Sequence, residues 1–164
     1  MKLQTIIYTC LLFLFACDNK QQNDKVATAD PLSQQWFASD TVLVWNCDAA
    51  GQTRTRIYLP PDSVSFVQPF INGINKTWPE PILVLIALRS DTVEVTLRNP
   101  AWLTGKSGNM GAEQYLSFAA LNLLEVKGVN YVYFSMPEGA HAGASVWSNA
   151  DFADWTTTDT LNNR

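Results

Sequence analysis

Histidine is nearly absent from this chain, with His141 the only one. One imidazole cannot build the two- or three-histidine sites of hydrolytic zinc enzymes, so no metal and no cofactor is expected. Cysteine is scarce too: Cys10 and Cys17 lie near the N-terminus and Cys47 stands alone in the body of the chain. A disulfide framework is therefore excluded, and packing has to hold the domain. Lys and Arg number 11 against 15 Asp and Glu, for a net charge of −4, and no basic cluster interrupts the sequence. Phosphate neutralisation supplies most nucleic-acid affinity, so nucleic acid is excluded as a partner. The same balance argues against a basic patch docking on anionic lipid. Internal repeats and heptads are also missing, as is an apolar run of about 20 residues that could span a bilayer.

What is present begins at the N-terminus. Lys2 supplies a small positive region, Ile6 to Phe15 an apolar one, and Ala16 a small residue ahead of Cys17. The run Leu14-Phe15-Ala16-Cys17 resembles the lipobox of bacterial lipoproteins, with the bulky Phe15 where Ser, Ala or Thr is commoner. That resemblance implies cleavage of residues 1–16 as a signal peptide and lipidation of Cys17, for example with palmitate. The mature protein would then be acyl-anchored to a membrane of the bacterial cell envelope, facing the periplasm or the surface. Residues 17–35, rich in Gln, Asn, Asp, Ala and Ser, read as the lipidated cysteine and a solvated tether. Loss of Lys2 with the leader leaves the mature chain one charge more negative.

Residues 36–150 are long enough for one core. Thr41 to Cys47 and Thr53 to Leu59 read as a β-hairpin around a turn at Asp48 to Gln52, stopped by Pro60-Pro61. A weaker strand is expected over Val64 to Phe70. Asn72 to Pro81 is so rich in Gly, Asn and Pro that neither a central strand nor a helix is expected there. Ile82 to Leu88 is continuously apolar, and Thr92 to Arg98 alternates, with a hairpin loop between them. A loop follows from Asn99 to Met110. Ala112 to Lys127 reads as the main helix, with Leu116, Ala119, Ala120, Leu123 and Leu124 as its apolar stripe. Glu113, Gln114 and Asn122 fall on its polar side, and Gly128 serves as its stop. Asn130 to Met136 is an aromatic-rich strand, parallel to 92–98 if the helix is a crossover. Residues 151–164 read as a polar tail in which Phe152 and Trp155 dock. The expected class is α+β: a small mixed or antiparallel sheet with one main helix, residues 112–127, on one face.

The strand Asp91-Thr92-Val93-Glu94-Val95-Thr96-Leu97-Arg98-Asn99, the run Gly108-Asn109-Met110-Gly111-Ala112-Glu113 with its helix, and Gly128-Val129-Asn130-Tyr131-Val132-Tyr133-Phe134 carry a resemblance. Together with Arg56-Ile57-Tyr58-Leu59-Pro60, this half of the mature chain resembles the GerMN (sporulation and spore germination) domain, an α/β module of envelope lipoproteins. The resemblance implies an assembly or interaction module and carries over no active-site residue. That family places a helix before the second strand pair, where this chain has Asn72 to Pro81.

Few residues suggest chemistry. Gly105-Lys106-Ser107-Gly108 has a P-loop flavour, but Pro100 stands where the motif needs its first Gly. Glu138 and His141 share a Gly/Ala-rich loop past a strand end and could ligate a metal or transfer a proton, with Asp151 or Asp154 as further carboxylates. Ser135, Ser145 and Ser148 lack a nucleophile-elbow context. Cys47 reads as a buried small hydrophobe. Of six tryptophans, Trp45 belongs to a strand and the core. Trp78 and Trp102 fall in loops and are the best candidates for a partly exposed binding face. Asn75-Lys76-Thr77 matches a glycosylation sequon by chance. The reading that results is a membrane-anchored, non-enzymatic interaction module for an envelope protein. The alternative is a glycan-binding or hydrolytic protein using the His141 loop with Glu138 and Glu113.

Overall fold

The computed structural model describes residues 41–59 and 65–161. Cys17, the leader, the tether and Trp36 lie outside the described residues. In chain order the elements are β1 (Trp45–Asp48), β2 (Thr53–Arg56), α1 (Gln68–Thr77), β3 (Leu83–Arg89), β4 (Thr92–Leu97), α2 (Pro100–Gly105) and α3 (Gly108–Leu123). They continue with β5 (Tyr131–Ser135), β6 (Ser145–Ser148), a 3-10 turn (Asn149–Phe152) and β7 (Thr156–Asp159). The class is α+β, as expected, but with two sheets: β1-β2-β7 and β3-β4-β5-β6.

The four-stranded sheet follows directly from side-chain alternation. β3 pairs antiparallel with β4, β4 parallel with β5, and β5 antiparallel with β6. The β4–α3–β5 crossover thus makes the expected parallel pair. Val93, Val95, Val132 and Phe134 are fully buried and join α1 and α3 in one apolar core. Ser90 takes a positive φ of 53° to close the tight β3–β4 connection. A register shift between Leu85 and Ala87 places Ile86 as an extra residue on this edge strand, the bulge that blunts exposed edges.

α1 replaces the weak strand and irregular stretch expected over residues 64–81. Pro69 sits in its first turn, where a missing N–H costs nothing. Phe70, Ile71 and Ile74 form its buried stripe. Gly73, normally a helix liability of about 1 kcal/mol, is required here. A Cβ would lie 2.5 Å from the Val42 carbonyl oxygen, which crosses the helix at that point. Asn75 grips the start of β3: its amide donates to Leu83 O at 2.9 Å and accepts from Leu83 N at 2.7 Å. Its side chain is therefore an internal clasp. Thr77, exposed at the end of the helix, donates its hydroxyl back to Gly73 O one turn earlier.

α3 begins four residues earlier and ends four residues earlier than expected, and the preceding loop contains α2. Leu124 to Lys127 continue as tightened turns, and Gly128 follows with φ 84°, a left-handed conformation that glycine adopts without a Cβ penalty. The middle of α3 is buried all round, so it is a central helix and not an amphipathic one. Two residues placed on its polar side turn inward to strand β1. Asn122 is wholly buried: its oxygen accepts from Val44 N (2.8 Å) and Trp45 N (3.0 Å), and its amide donates to Trp45 O (3.1 Å) and Phe118 O (2.9 Å). Two turns earlier, Gln114 accepts from Ala49 N (2.8 Å) and donates to Cys47 O (2.7 Å). Together the two amides stand in for a neighbouring strand along the outer edge of β1.

Residues 149–161, expected as a polar tail from 151 on, pack and pair with the rest of the domain. β7 pairs parallel with β2, from Thr53↔Thr156 to Arg56↔Asp159. Phe152 is fully buried, stacks on Trp147 at 5.6 Å and meets Trp155 edge-on at 5.1 Å. Among the described residues no helix is long and apolar enough to cross a membrane.

Candidate functional site

Parallel strands β4 and β5 end on the same side of the sheet, at Leu97 and Ser135, and β3 starts there at Leu83. Short helix α2 occupies that end and brings several of the sequence candidates together. Trp102 on α2 meets Trp78, just past α1, edge-on at 6.1 Å, and Trp78 meets Tyr115 of α3 at 5.8 Å. Both indoles are half-buried against the core. Tyr115 is buried and donates its hydroxyl to Pro81 O at 3.0 Å. Burial alone pushes its phenol well above the ordinary tyrosine range. The pair is thus partly exposed, as expected, but one side of each indole is spent on packing.

The His141 loop folds onto the same helix. His141 N donates to Thr104 O at 3.1 Å, and Gly139 N to Ala142 O at 2.9 Å. Gly139 lies so close to Thr104 that a Cβ would strike it, and Gly143 lies beneath the Glu138 carboxylate in the same way. At Gly139 only glycine permits the approach, because the Thr104 backbone cannot give way, whereas the exposed Glu138 side chain can swing aside at Gly143. His141 Nδ1 is 2.8 Å from Asn109 Oδ1, a contact that is satisfied when Nδ1 carries the proton. The imidazole is therefore held by a neutral amide and not by a carboxylate. Glu113, exposed on α3, stands one helical turn beyond Asn109.

The remaining candidates have structural duties. Asp151 accepts from Ser148 N (2.7 Å) and Ser148 Oγ (3.0 Å), closing a capping box on the 3-10 turn. Ser145 accepts from the Trp147 indole N–H. Ser107 donates to Leu103 O, so the Gly105–Gly108 run joins two helices. Cys47 is half-buried beside Gln114. Burial pushes its thiol up to about 12, with Asp48 adding to the rise and the Gln114 hydrogen bond opposing it. It is accordingly a poor nucleophile at neutral pH. Among the described residues no group of three or more His, Cys, Asp or Glu side chains is placed to hold a metal ion.

The structure adds a surface that the sequence reading missed. Residues directly opposed across strands share a face. One face therefore carries the row Glu94–Tyr133–Val146 and the row Thr92–Tyr131–Ser148, with Ile86 from the bulge. Tyr131 and Ile86 are each 45% exposed and Val146 60%. Helices bury the opposite face. The signal was present in Tyr131-Val132-Tyr133-Phe134, where aromatic residues occupy both sides of one alternating strand.

No protein-family model, curated protein or solved structure matches this chain.

Proposed function

We propose that this protein is a bacterial envelope lipoprotein, anchored through Cys17, that works as a non-enzymatic interaction module of GerMN-like type. The observation that carries the reading is the open face of the four-stranded sheet. Tyr131, Tyr133, Val146 and Ile86 give it an apolar and aromatic character more suited to a partner than to water. The sequence around Cys17 supports the anchor. The GerMN reading is supported by α1, which lies before the β3–β4 pair, where that family has a helix. Tethering to one membrane surface raises the effective concentration of a co-anchored partner, so a small face is adequate for function.

The test is in-cell crosslinking and pull-down of the anchored protein. A discrete envelope partner retained by Trp78→Ala/Trp102→Ala and lost in Tyr131→Ser/Val146→Ser supports the sheet face. The opposite pattern moves the face to the tryptophans. Retention in both variants removes both.

A second reading has one observation of its own. His141, Glu138 and the Trp78–Trp102 pair gather at the end of the sheet where β4 and β5 terminate. That arrangement suits a glycan stacked on indole and addressed by imidazole. Glycan binding or hydrolysis that survives His141→Ala contradicts a role for the histidine.

A further inference from the structure

The sequence shows no basic run, yet strand alternation gathers two guanidinium groups on one face of the three-stranded sheet. Arg54 and Arg56 are two residues apart on β2, and their Cζ atoms lie 5.2 and 4.6 Å from the centre of the Trp45 ring. Trp45 is buried, and its indole N–H is held by Glu125 Oε1 at 2.7 Å, which fixes the platform. Arg54 Nε donates to Thr157 Oγ1 of β7 at 2.9 Å, which fixes the first guanidinium. Arg56 Nε is buried without a hydrogen-bond partner. The salt bridge found among the described residues joins Arg89 and Glu94, while Asp159 stands directly opposite Arg56 in the β2–β7 register. Two like charges stacked on one ring, in a protein of net charge −4, are an unusual use of the few cations available.

We propose that Arg54 and Arg56 form an oxyanion site that takes a phosphate group. A carboxylate carries one charge and is satisfied by a single guanidinium fork. Two guanidinium groups on one sheet face, held over one indole, together supply the donors and the charge that match the several oxygens of a phosphate. The indole and Thr157 hold the arginines before the ligand arrives, which lowers the ordering cost of binding. The phosphate can be free in solution or belong to a lipid headgroup.

The test follows the arginine Nε–H and Trp45 indole resonances of the full chain in an uncharged maltoside micelle. One arm adds inorganic phosphate and the other dopes the micelle with phosphatidylglycerol. Saturable shifts of the Arg54 and Arg56 signals with phosphate support the site and a soluble source. Shifts with phosphatidylglycerol alone support the site and a headgroup source. Replacing one arginine, in Arg54→Gln or Arg56→Gln, should weaken binding on the order of tenfold. Arg54→Lys/Arg56→Lys keeps the charge and the cover over Trp45 but loses the forks, and should weaken it too. No saturable shift in either arm overturns the proposal. So does equal binding by the double lysine variant with its Trp45 signal unchanged.

Discussion

In the four-stranded sheet, Val93, Val95, Val132 and Phe134 have no exposed surface and lie in the same apolar core as the helices. In the three-stranded sheet every residue of β2 is only partly buried. There the backbone of β1 is held along its edge by the amides of Gln114 and Asn122, and Trp45 is covered by two arginines. One sheet is stabilised chiefly by burial of apolar side chains, the other by directed polar contacts. The difference matters because the two kinds of support fail differently. Apolar burial is lost in proportion to volume removed, whereas a buried clasp fails at once when one partner goes, leaving donors and acceptors unmatched.

The comparison can be broken most severely from the apolar side. Phe134→Ala should cost about 4 kcal/mol, since deletion of a buried Phe leaves a cavity as well as lost transfer energy. Urea unfolding would show the loss as a lowered midpoint of one cooperative transition. Asn122→Ala should cost about 2–3 kcal/mol, because Val44 N–H, Trp45 N–H and Trp45 C=O lose their side-chain partner. Hydrogen exchange should localise the effect, with Val44 and Trp45 losing protection while Val132 and Phe134 keep theirs. Equal loss in both sheets would mean that they do not differ in the way described.

A smaller effect separates the two at high pH. Burial pushes the Cys47 thiol up to about 12, well above the ordinary cysteine range near 9. The folded state therefore holds its proton longer than the unfolded state, and stability should fall as pH rises from about 9 to about 12. Tyr115, also shifted upward by burial, adds to the decline. Cys47→Ser should flatten part of that slope, read from Tm against pH. Least of all, Arg89→Ala should change stability by under about 0.5 kcal/mol. Its 3.5 Å pair with Glu94 leaves the arginine side chain 74% exposed, and chemical denaturation should barely register the change.

The same contrast explains what could be read from the sequence. β4 and β5 were legible because Val93, Val95 and Leu97, then Val132 and Phe134, alternate with polar or aromatic residues, and a period of two has one common physical meaning. The crossover helix was legible from Leu116, Ala119, Ala120, Leu123 and Leu124, which recur at helical spacing, although its burial extends all round. α1 was not, because Asn72, Gly73 and Asn75 have low helix propensity and their justification lies elsewhere in the chain. Gly73 makes room for Val42, and Asn75 grips Leu83. Asn122 and Gln114 were assigned to a solvated side because an amide in a helix carries no mark of the strand that it will clasp. β7 was missed because Thr156 to Asp159 has little apolar content and gains its structure from backbone pairing with β2. At the candidate site, Trp78 and Trp102 were rightly placed as partly exposed, but their mutual contact depends on α2, a helix the sequence reading left as loop.

The most direct measurement is in-cell photocrosslinking with the reactive residue placed, in separate strains, at Tyr131, Val146, Trp78 and Glu113 of the anchored protein. The account predicts one discrete protein adduct from the Tyr131 and Val146 positions and none of the same size from Glu113. Adducts from Trp78 alone, or no adduct at Tyr131 and Val146, would contradict an interaction module that works through the open face of its sheet.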